Sequence, residues 1–447
     1  MKTHIENLSL LPVLLAGLGL MIAGSAAAAT PTTLHSFPQT VFSGPPYDSF
    51  TNSDGAGLGG LILSGNTLYG TADSGGISGN GTVFSVSTDG TSFAVLHAFT
   101  LRDIATGTNS DGAGPVGLVL SGNTLYGTAQ VGGIADRGTV FSLNIDGSGF
   151  TNLYSFTNSD PVLPGSLILS GNTLYGTTFL GGSSGNGTVF ALNKDGTGFT
   201  NLHSFTGIDG TGLIADLILS GNTLYGTAFL GGGSNVGTVF SVNIDGTGFT
   251  NLHSFTGSDG AEPRTRLALS GTTLYGTASR GGSFDTGTLF AVNTNGTDFR
   301  MLHDFSIGDN GQSPTSLLIL SDNNLFGVAG GRLFEIKTDG TGFTFSYYVG
   351  DGQWLLSGTT FYGATVGGSG AVLSFTPPAP VQLTVITSRT SLILTWPTNA
   401  TGYTLHSTTN LSSPAWTTNS SAPVVVNGQY TVTNPISGTQ QFFRLSQ

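Results

Sequence analysis

The sequence predicts an all-β protein in which a seven-bladed β-propeller is followed by a small β-sandwich. A unit of about 50 residues, rich in short apolar runs, recurs seven times along the chain. Glycine, asparagine and aspartate turns separate these runs, and the composition changes from Gly-rich to Thr/Ser-rich after a proline-rich linker at residues 377–380. The 447 residues include 71 glycines and no cysteine, so packing alone must hold the core.

Residues 1–29 are predicted to be a secretory signal peptide. Lys2 supplies a positive start, the apolar run Leu8–Met21 is short for a bilayer span, and Ala27–Ala29 provides small residues before a cleavage site at Thr30. An uncleaved membrane anchor is the alternative. No later stretch has the length and apolarity of a membrane helix, so we expect a secreted or cell-surface chain with no membrane span after cleavage.

Charge and motif content exclude several classes of function. The formal net charge is −12 and no basic stripe is present, so nucleic acid is not expected as a partner. The sequence contains no HExxH or P-loop motif. Only two glutamates, Glu262 and Glu335, follow the signal peptide, which is thin support for a glycosidase carboxylate pair. Glu262 shares a loop with Arg264 and Arg266, which could bind an anion or form a local ion pair.

The repeat is clearest over residues 217–255. Its Leu-Tyr-Gly element recurs at gaps of 57, 49, 50, 50, 51 and 36 residues. The aromatic residues of this element are Tyr69, Tyr126, Tyr175, Tyr225, Tyr275, Phe326 and Tyr362. A Leu-His-Ser-Phe element also appears seven times and begins at Leu34, before the first Leu-Tyr-Gly.

Each unit is predicted to form four strands. In one unit the runs Phe199–Phe205, Leu217–Leu219, Thr223–Ala228 and Thr238–Asn243 are rich in Val, Phe, Tyr and Thr and lack a helical period. Four strands in about 50 residues are typical of a propeller blade, which places residues 30–376 in the propeller. A β-solenoid is the competing architecture, but its rungs are usually shorter and it needs capping segments.

The motifs SGNTLYGTA, GTVFSVN and DGTGFTNLHSF, with a Gly-Gly pair between the first two, resemble the GloVer tandem repeat of "choice-of-anchor" secreted bacterial proteins. The resemblance covers about residues 34–376 and implies a propeller, without an established activity to transfer. The sequence departs from that family by lacking a hydrophobic terminal anchor or an LPxTG-like signal.

Residues 381–447 are predicted to form a fibronectin/immunoglobulin-like β-sandwich. Their alternating segments include one that contains Trp396, expected in the core, and Val426–Gln429 has the chemistry of a hairpin turn. The segment resembles a C-terminal module of many exported bacterial proteins, which implies targeting or surface attachment. A spacer role is the alternative.

Five of the seven histidines share one repeat position, namely His35, His97, His203, His253 and His303. Symmetry would spread them around an axis, whereas Zn²⁺ needs its nitrogen ligands within about 2 Å. Tyr154 also replaces one of them. We therefore interpret them as packing residues, and we interpret the Leu-Tyr-Gly tyrosines as core rather than as a sugar-binding face.

Two sets of aspartates recur. One set lies in Asp-Gly-Thr turns, where the turn explains it. The other follows the Leu-His-Ser-Phe element and supplies the calcium candidates Asp54, Asp111, Asp209 and Asp259. No stretch has EF-hand or RTX ligand spacing, so no cofactor is predicted beyond these candidates.

Two long loops provide the predicted ligand-binding patch. The gap from Phe37 to Leu61 is 24 residues and that from Phe99 to Leu118 is 19, and the corresponding gaps in the next copies are shorter. Long loops on one rim of a repeat structure are where binding surfaces arise. The patch comprises Tyr47, Asp48, Phe50, Arg102 and Asp103. Neutral drift in exposed loops is the alternative.

The sequence thus favours a non-enzymatic interaction module that binds polysaccharide or an extracellular protein through one rim. A carbohydrate-active enzyme, glycosidase or lyase, and a structural envelope protein are the alternatives. Converging carboxylates in a deep central pocket would favour the enzyme, and dispersed ones would favour binding. The sequence makes no prediction of oligomeric state.

Overall fold

The computed structural model describes residues 30–42, 50–306, 311–314, 316–365, 370–377, 383–387, 391–397, 403–409, 415–419, 421–435 and 442–446. The predicted signal peptide and most of the predicted linker lie outside these residues. Ala29–Pro377 form one compact unit, here the repeat unit, and Pro378–Gln447 belong to a second. In the described part of the chain, no helix has the length and apolarity needed to cross a membrane.

The repeat unit begins with three short strands, β1 (Thr32–Ser36), β2 (Val41–Phe42) and β3 (Phe50–Thr51), of which β2 and β3 pair with each other. Among the described residues that follow, the strands form seven four-stranded antiparallel sheets, numbered I to VII in chain order.

The first three sheets each contain four consecutive strands. Sheet I consists of β4 (Ala56–Ser64), β5 (Thr67–Ser74), β6 (Thr82–Ser87) and β7 (Phe93–Ala98). Sheet II consists of β8 (Ala113–Ser121), β9 (Thr124–Val131), β10 (Thr139–Asn144) and β11 (Thr151–Ser155). Sheet III consists of β12 (Val162–Ser170), β13 (Thr173–Leu180), β14 (Thr188–Asn193) and β15 (Thr200–Ser204).

The next three sheets follow the same order. Sheet IV consists of β16 (Ile218–Ser220), β17 (Thr223–Ala228), β18 (Thr238–Asn243) and β19 (Thr250–Ser254). Sheet V consists of β20 (Ala268–Ser270), β21 (Thr273–Ala278), β22 (Thr288–Asn293) and β23 (Arg300–Asp304). Sheet VI consists of β24 (Ile319–Ser321), β25 (Asn324–Ala329), β26 (Arg332–Lys337) and β27 (Thr344–Tyr348).

Sheet VII joins the two ends of the repeat unit. It contains β28 (Gly352–Ser357), β29 (Thr360–Thr365) and β30 (Ala371–Phe375), and its fourth strand is β1. His35 of β1 pairs with Val372 of β30 in antiparallel register. The first Leu-His-Ser-Phe copy therefore completes the last sheet, which explains why it precedes the first Leu-Tyr-Gly.

Apolar clusters fill the space between neighbouring sheets. One cluster joins each consecutive pair of sheets, and a further one joins sheet VII to sheet I. In that last cluster Leu34 and Val372 pack with Leu68 and Phe84. Every sheet therefore packs against two neighbours, and the last sheet packs against the first. This all-β arrangement is a propeller-like fold. The Leu-Tyr-Gly tyrosines lie in these clusters, which confirms their interpretation as core residues.

The connections fall into two groups because successive strands are antiparallel. Two-residue turns after each first strand and Asp-Gly-Thr turns after the third lie at one end of the sheets, here the turn rim. Gly65, at φ 57°, closes such a hairpin between the paired Ser64 and Thr67. The connections after each second strand, and those from one sheet to the next, lie at the other end, here the loop rim.

The second unit contains two antiparallel sheets among its described residues. One contains β31 (Thr384–Thr387), β32 (Ser391–Pro397), β35 (Val424–Val426) and β36 (Gln429–Pro435), and the other β33 (Thr404–Thr408), β34 (Thr417–Thr418) and β37 (Phe442–Ser446). Trp396 is buried with Leu394 and Val432 of the first sheet and Leu405 of the second. The predicted hairpin turn after Val426 joins β35 to β36.

The glycine of Leu-Tyr-Gly is required by close approach of a phenylalanine ring. A Cβ on Gly226 would lie 2.6 Å from the ring carbon Cζ of Phe240 and 2.9 Å from a methyl carbon of Leu217. Both neighbours are fully buried, so neither has room to move aside.

We predict that Gly226→Ala lowers the free energy of unfolding by about 1–3 kcal/mol through overpacking. Gly233→Ala is the matched control, because no atom lies within 4 Å of its added Cβ. Chemical denaturation of both variants measures the difference, and equal stability of the two would contradict this account of the glycine.

Candidate binding site

The repeated histidines and the loop aspartates form pairs at the loop rim. In four repeats a histidine Nε2 lies 2.9–3.0 Å from an aspartate Oδ2. The pairs are His35–Asp54, His97–Asp111, His203–Asp209 and His253–Asp259. The calcium candidates are thus individual partners of histidines in separate repeats. Within the described residues, no group of three or more His, Cys, Asp or Glu side chains could hold a metal ion.

Each of these histidines also packs against the next sheet. The ring of His253 stacks on Phe299 at 3.6 Å between centroids, with an interplanar angle of 6°. Phe299 lies in the turn region that precedes the outer strand of sheet V, whereas His253 lies in sheet IV. The same stacking recurs from His35 to Phe93 and from His203 to Phe249. The histidine position therefore links neighbouring sheets, as the packing interpretation expects.

The pairs have defined electrostatics. Burial tends to raise the pKa of Asp111, but hydrogen bonds from His97 and Thr100 outweigh it and hold the pKa below its ordinary value. Burial lowers the pKa of His253 despite the nearby Asp259 carboxylate. In sheet II, the Tyr154 hydroxyl donates to Asp160 Oδ2 at 2.9 Å and takes the place of the imidazole.

Two of the three charged residues of the predicted patch, Arg102 and Asp103, form contacts within their own rim. Arg102 Nη1 lies 3.1 Å from Asp136 Oδ1. Asp103 accepts hydrogen bonds from the backbone of Ala105 and Thr106. Tyr47 and Asp48 lie outside the described residues.

Phe50 is the exposed aromatic residue among the described members of the patch. It is 59% exposed and its ring lies 5.4 Å from that of Phe42. Among the described residues, no hydrogen bond, ion pair or ring contact joins Phe50 to Arg102 or Asp103. These three members therefore do not form one contact cluster, and the patch as a whole stays a prediction.

Exposed large apolar side chains concentrate on the loop rim. Apart from Met301 and Tyr348 on outer strands, those of the repeat unit's described residues lie on loop-rim connections or at strand ends that enter them. They are Val41, Phe42, Phe50, Ile77, Leu101, Ile104, Ile134, Leu180, Ile208, Ile214 and Phe284. Contiguous exposed apolar patches on a protein surface mark sites of interaction.

A cavity of about 890 Å³ lies between the inner strands of the repeat sheets. Residues of all seven sheets line it, most of them leucine, isoleucine and valine. Ligand pockets are typically about 300–1,000 Å³, mainly apolar and supplied with a few polar groups that fix orientation. Here the polar side chains are Ser166, Asp216, Arg264, Arg266 and Gln353.

One position of the inner strand varies widely, while the residue after it is leucine in six of the seven sheets. In each sheet this position comes immediately before the inner-strand residue that lies opposite the Leu-Tyr-Gly glycine. In all seven sheets the residue at this position lines the cavity. These residues, here the variable ring, are Gly60, Gly117, Ser166, Asp216, Arg266, Leu317 and Gln353. Sequence analysis missed the ring, although an alignment of the seven copies at this single position would have shown it.

A cluster of arginines in sheet V borders the ring. Glu262 Oε2 lies 2.8 Å from Arg264 Nη2 and 3.6 Å from Arg280 Nε. The Arg264 guanidinium carbon also lies 4.1 Å above the ring of Phe229 in the neighbouring repeat. Arg266 is exposed and makes no ion pair or hydrogen bond to any described residue.

Glu262 occupies a strained backbone position. Its φ is 56°, a left-handed conformation that costs a non-glycine residue about 1–2 kcal/mol. The corresponding residue of sheet IV, Gly212, has φ 67°. The carboxylate that fixes two arginines is therefore kept at a position where glycine would be the relaxed choice.

The family model of the Gloeobacter/Verrucomicrobia repeat matches residues 24–183, 100–222 and 181–374. These matches span most of the chain. The chain belongs to the Gloeobacter/Verrucomicrobia repeat family. No curated protein matches it.

Solved structures resemble this repeat protein in fold. The extracellular domain of BT4673 from B. thetaiotaomicron has a TM-score of 0.50 at 10% identity, with 83% of this chain and 43% of that chain covered. An oligogalacturonate lyase from Vibrio parahaemolyticus has a TM-score of 0.49 at 10% identity, covering 79% and 100%. The computationally designed Ika8 protein has a TM-score of 0.49 at 13% identity, covering 78% and 99%. At these identities the likeness concerns fold alone, and this chain spans less than half of the BT4673 domain.

The two glutamates of the repeat unit lie in different surroundings. Glu335 is buried in β26, where burial raises its pKa, and its Oε2 has no hydrogen-bond partner in the described part of the chain. Glu262 is instead held by arginines. Neither lines the central cavity, whose one acidic side chain is Asp216.

We predict that the aspartate paired with the repeat histidine needs a hydrogen-bond donor, which a residue other than histidine can supply. His253→Phe keeps the stacking on Phe299 but removes the histidine donor of Asp259 Oδ2, while Thr256 still donates to Oδ1; this should cost about 1–3 kcal/mol of stability. His253→Tyr reproduces the arrangement of Tyr154 with Asp160 and should recover most of that loss.

Thermal and denaturant unfolding of these two variants at pH 7 measure the difference. If the tyrosine variant were as unstable as the phenylalanine variant, the hydrogen bond to the aspartate would not be what the position contributes.

Proposed function

We propose that this repeat protein is a secreted, non-enzymatic binding module that engages a polysaccharide or an extracellular protein through its loop rim. The observation that carries the proposal is the difference between the two rims. The turn rim repeats short polar turns, whereas the loop rim combines irregular loops, exposed apolar side chains and the charged part of the variable ring. The signal peptide predicted at residues 1–29 supports export.

A seven-bladed propeller followed by a fibronectin-like sandwich is the architecture we propose for this function. Support for the first part comes from the sheets, the clusters between them and the pairing of β1 with β30. Support for the second comes from two sheets that share Trp396 and Leu405 in one apolar cluster. The sandwich would act in targeting or surface attachment, or as a spacer.

The long connections into sheets I and II supply the outer part of the proposed surface. Exposed Phe42 and Phe50 offer aromatic faces of the kind that stack on sugar rings or bury against protein. We retain in this surface the residues predicted from sequence, Tyr47, Asp48, Phe50, Arg102 and Asp103. Arg102 and Asp103 would act by holding the loop that presents Ile104, which is 74% exposed.

The placement of the acidic residues favours binding over glycoside cleavage. A glycosidase needs two carboxyl groups about 5–10 Å apart, one on each side of the bond to be cleaved. Asp216 is the only acid among the residues that line the cavity, and the two glutamates lie elsewhere. The loop aspartates are bonded to histidines in separate repeats.

We predict that residues 30–447, purified and applied to a glycan array, bind a subset of polysaccharides without releasing products. Ile104→Asp adds a charge to the loop rim and should weaken binding about tenfold or more, as loss of an apolar contact does. Asn295→Asp is the control, because it adds the same charge in a turn where other repeats carry aspartate.

Equal binding by both variants would contradict a loop-rim site. Accumulation of reducing ends or unsaturated products would contradict the non-enzymatic role.

A further inference from the structure

The variable ring places one unpaired guanidinium on the central cavity. Arg266 lines the cavity, is exposed and has no partner among the described residues. Arg264 also lines the cavity and is held by Glu262, which lies between it and Arg280 outside the lining. Two of the 12 basic residues of a chain with net charge −12 thus line the cavity.

The charge balance at this place selects the class of anion. The charged side chains that line the cavity are Arg264, Arg266 and Asp216, which leaves an excess of one positive charge. A carboxylate matches that excess and the planar fork of an arginine, whereas a dianionic phosphate would be left partly uncompensated beside Asp216.

The walls of the cavity select the rest of the ligand. Each inner strand pairs with its sheet on one edge only, so its other edge presents backbone N–H and C=O groups towards the cavity. These edges converge from all seven sheets. A sugar ring, whose hydroxyls radiate in every direction and both donate and accept, matches them better than a peptide strand, which pairs along at most two edges.

The ring differs in residue size from one side to the other. Gly60, Gly117 and Ser166 give small side chains in sheets I to III, while the larger members lie in sheets IV to VII. Gln353 is held in place, because its Oε1 accepts from the backbone N–H of Leu317 at 3.3 Å.

We infer that the cavity mouth binds a uronic acid residue at the end of an anionic polysaccharide, with Arg266 as the carboxylate ligand. This inference rests on the proposed function and specifies its ligand. Arg264 lines the same mouth, and Glu262 positions it. Asp216 opposes the anion and limits the site to a single negative charge.

The test uses residues 30–447 and three probes: short oligomers of a hexuronic acid, their methyl esters, and sulfated neutral oligomers of equal length. We expect calorimetry to show binding of the acid oligomers that weakens with salt, and binding of the esters at least tenfold weaker. Arg266→Gln should lower the affinity for the acid about tenfold or more, and the ring already accommodates glutamine at Gln353.

Two further variants make the result specific. Arg300→Gln removes the same charge from the outer strand of sheet V, outside the cavity lining, and should leave the affinity unchanged. Asp216→Asn removes the opposing charge and should tighten binding of the acid but not of the ester.

Equal affinity for acid and ester, or no effect of Arg266→Gln, would overturn the inference while the effect of Ile104→Asp would still support a loop-rim site. Preference for the sulfated oligomers would overturn the ligand class. If no probe or glycan bound at all, both the inference and the proposed function would fail.

Discussion

The structure depends on the packing of each repeat sheet between two neighbours. A four-stranded sheet of about 40 residues has apolar side chains on both faces and cannot bury them alone. In a row of such sheets the first and the last would each leave one face open to water. Here β1 joins β30, and Leu34 and Val372 pack with Leu68 and Phe84, so that sheet VII covers sheet I.

This constraint accounts for the regularity of most of the sequence. The phenylalanine of Gly-Thr-Val-Phe, the leucine of the inner strand and the glycine beneath them meet in one close contact in sheets I to VI, and Trp354 fills this place in sheet VII. The histidine or tyrosine at the rim stacks on the next sheet and bonds to an aspartate. Because these contacts recur between neighbouring sheets, a change in one copy disturbs two sheets.

Variation is left to positions that no neighbour constrains. The loop-rim connections differ in length and carry exposed apolar side chains. The variable ring lines the cavity, so residues as different as Gly60, Asp216 and Arg266 fit the same backbone. A binding protein needs surface residues that can differ from repeat to repeat, carried by sheets whose packing stays the same.

Most of the fold could be predicted from the sequence, because strand runs, turn glycines and a fixed repeat are local signals. The strands β17 (Thr223–Ala228) and β18 (Thr238–Asn243) coincide with the runs predicted for them. The role of His253 as a packing residue followed from its repetition, but its stacking on Phe299 joins residues of different repeats and leaves no local signal.

The candidate site was less accessible to sequence analysis, for a physical reason. Long loops are visible as insertions, so Phe50 and Arg102 were found, but a loop does not reveal that Arg102 is occupied by Asp136. The variable ring depends on seven residues that are about 50 positions apart and meet only around the cavity. Arg266 was noticed as one of a local group, and only the fold places it opposite small residues.

Closure by the first strand is tested most directly by a cross-link, which the absence of native cysteine makes clean. Thr33 and Leu373 are paired residues of β1 and β30. In the Thr33→Cys/Leu373→Cys double variant we expect an intramolecular disulfide to form in air and to raise the thermal midpoint until reductant is added, because paired strand residues lie within bonding range and the loop closed is long. The Thr33→Cys single variant is the control, because it can form disulfides only between molecules. If the thiols of the double variant stayed free, or formed only such intermolecular disulfides, the first strand would not close the repeat unit.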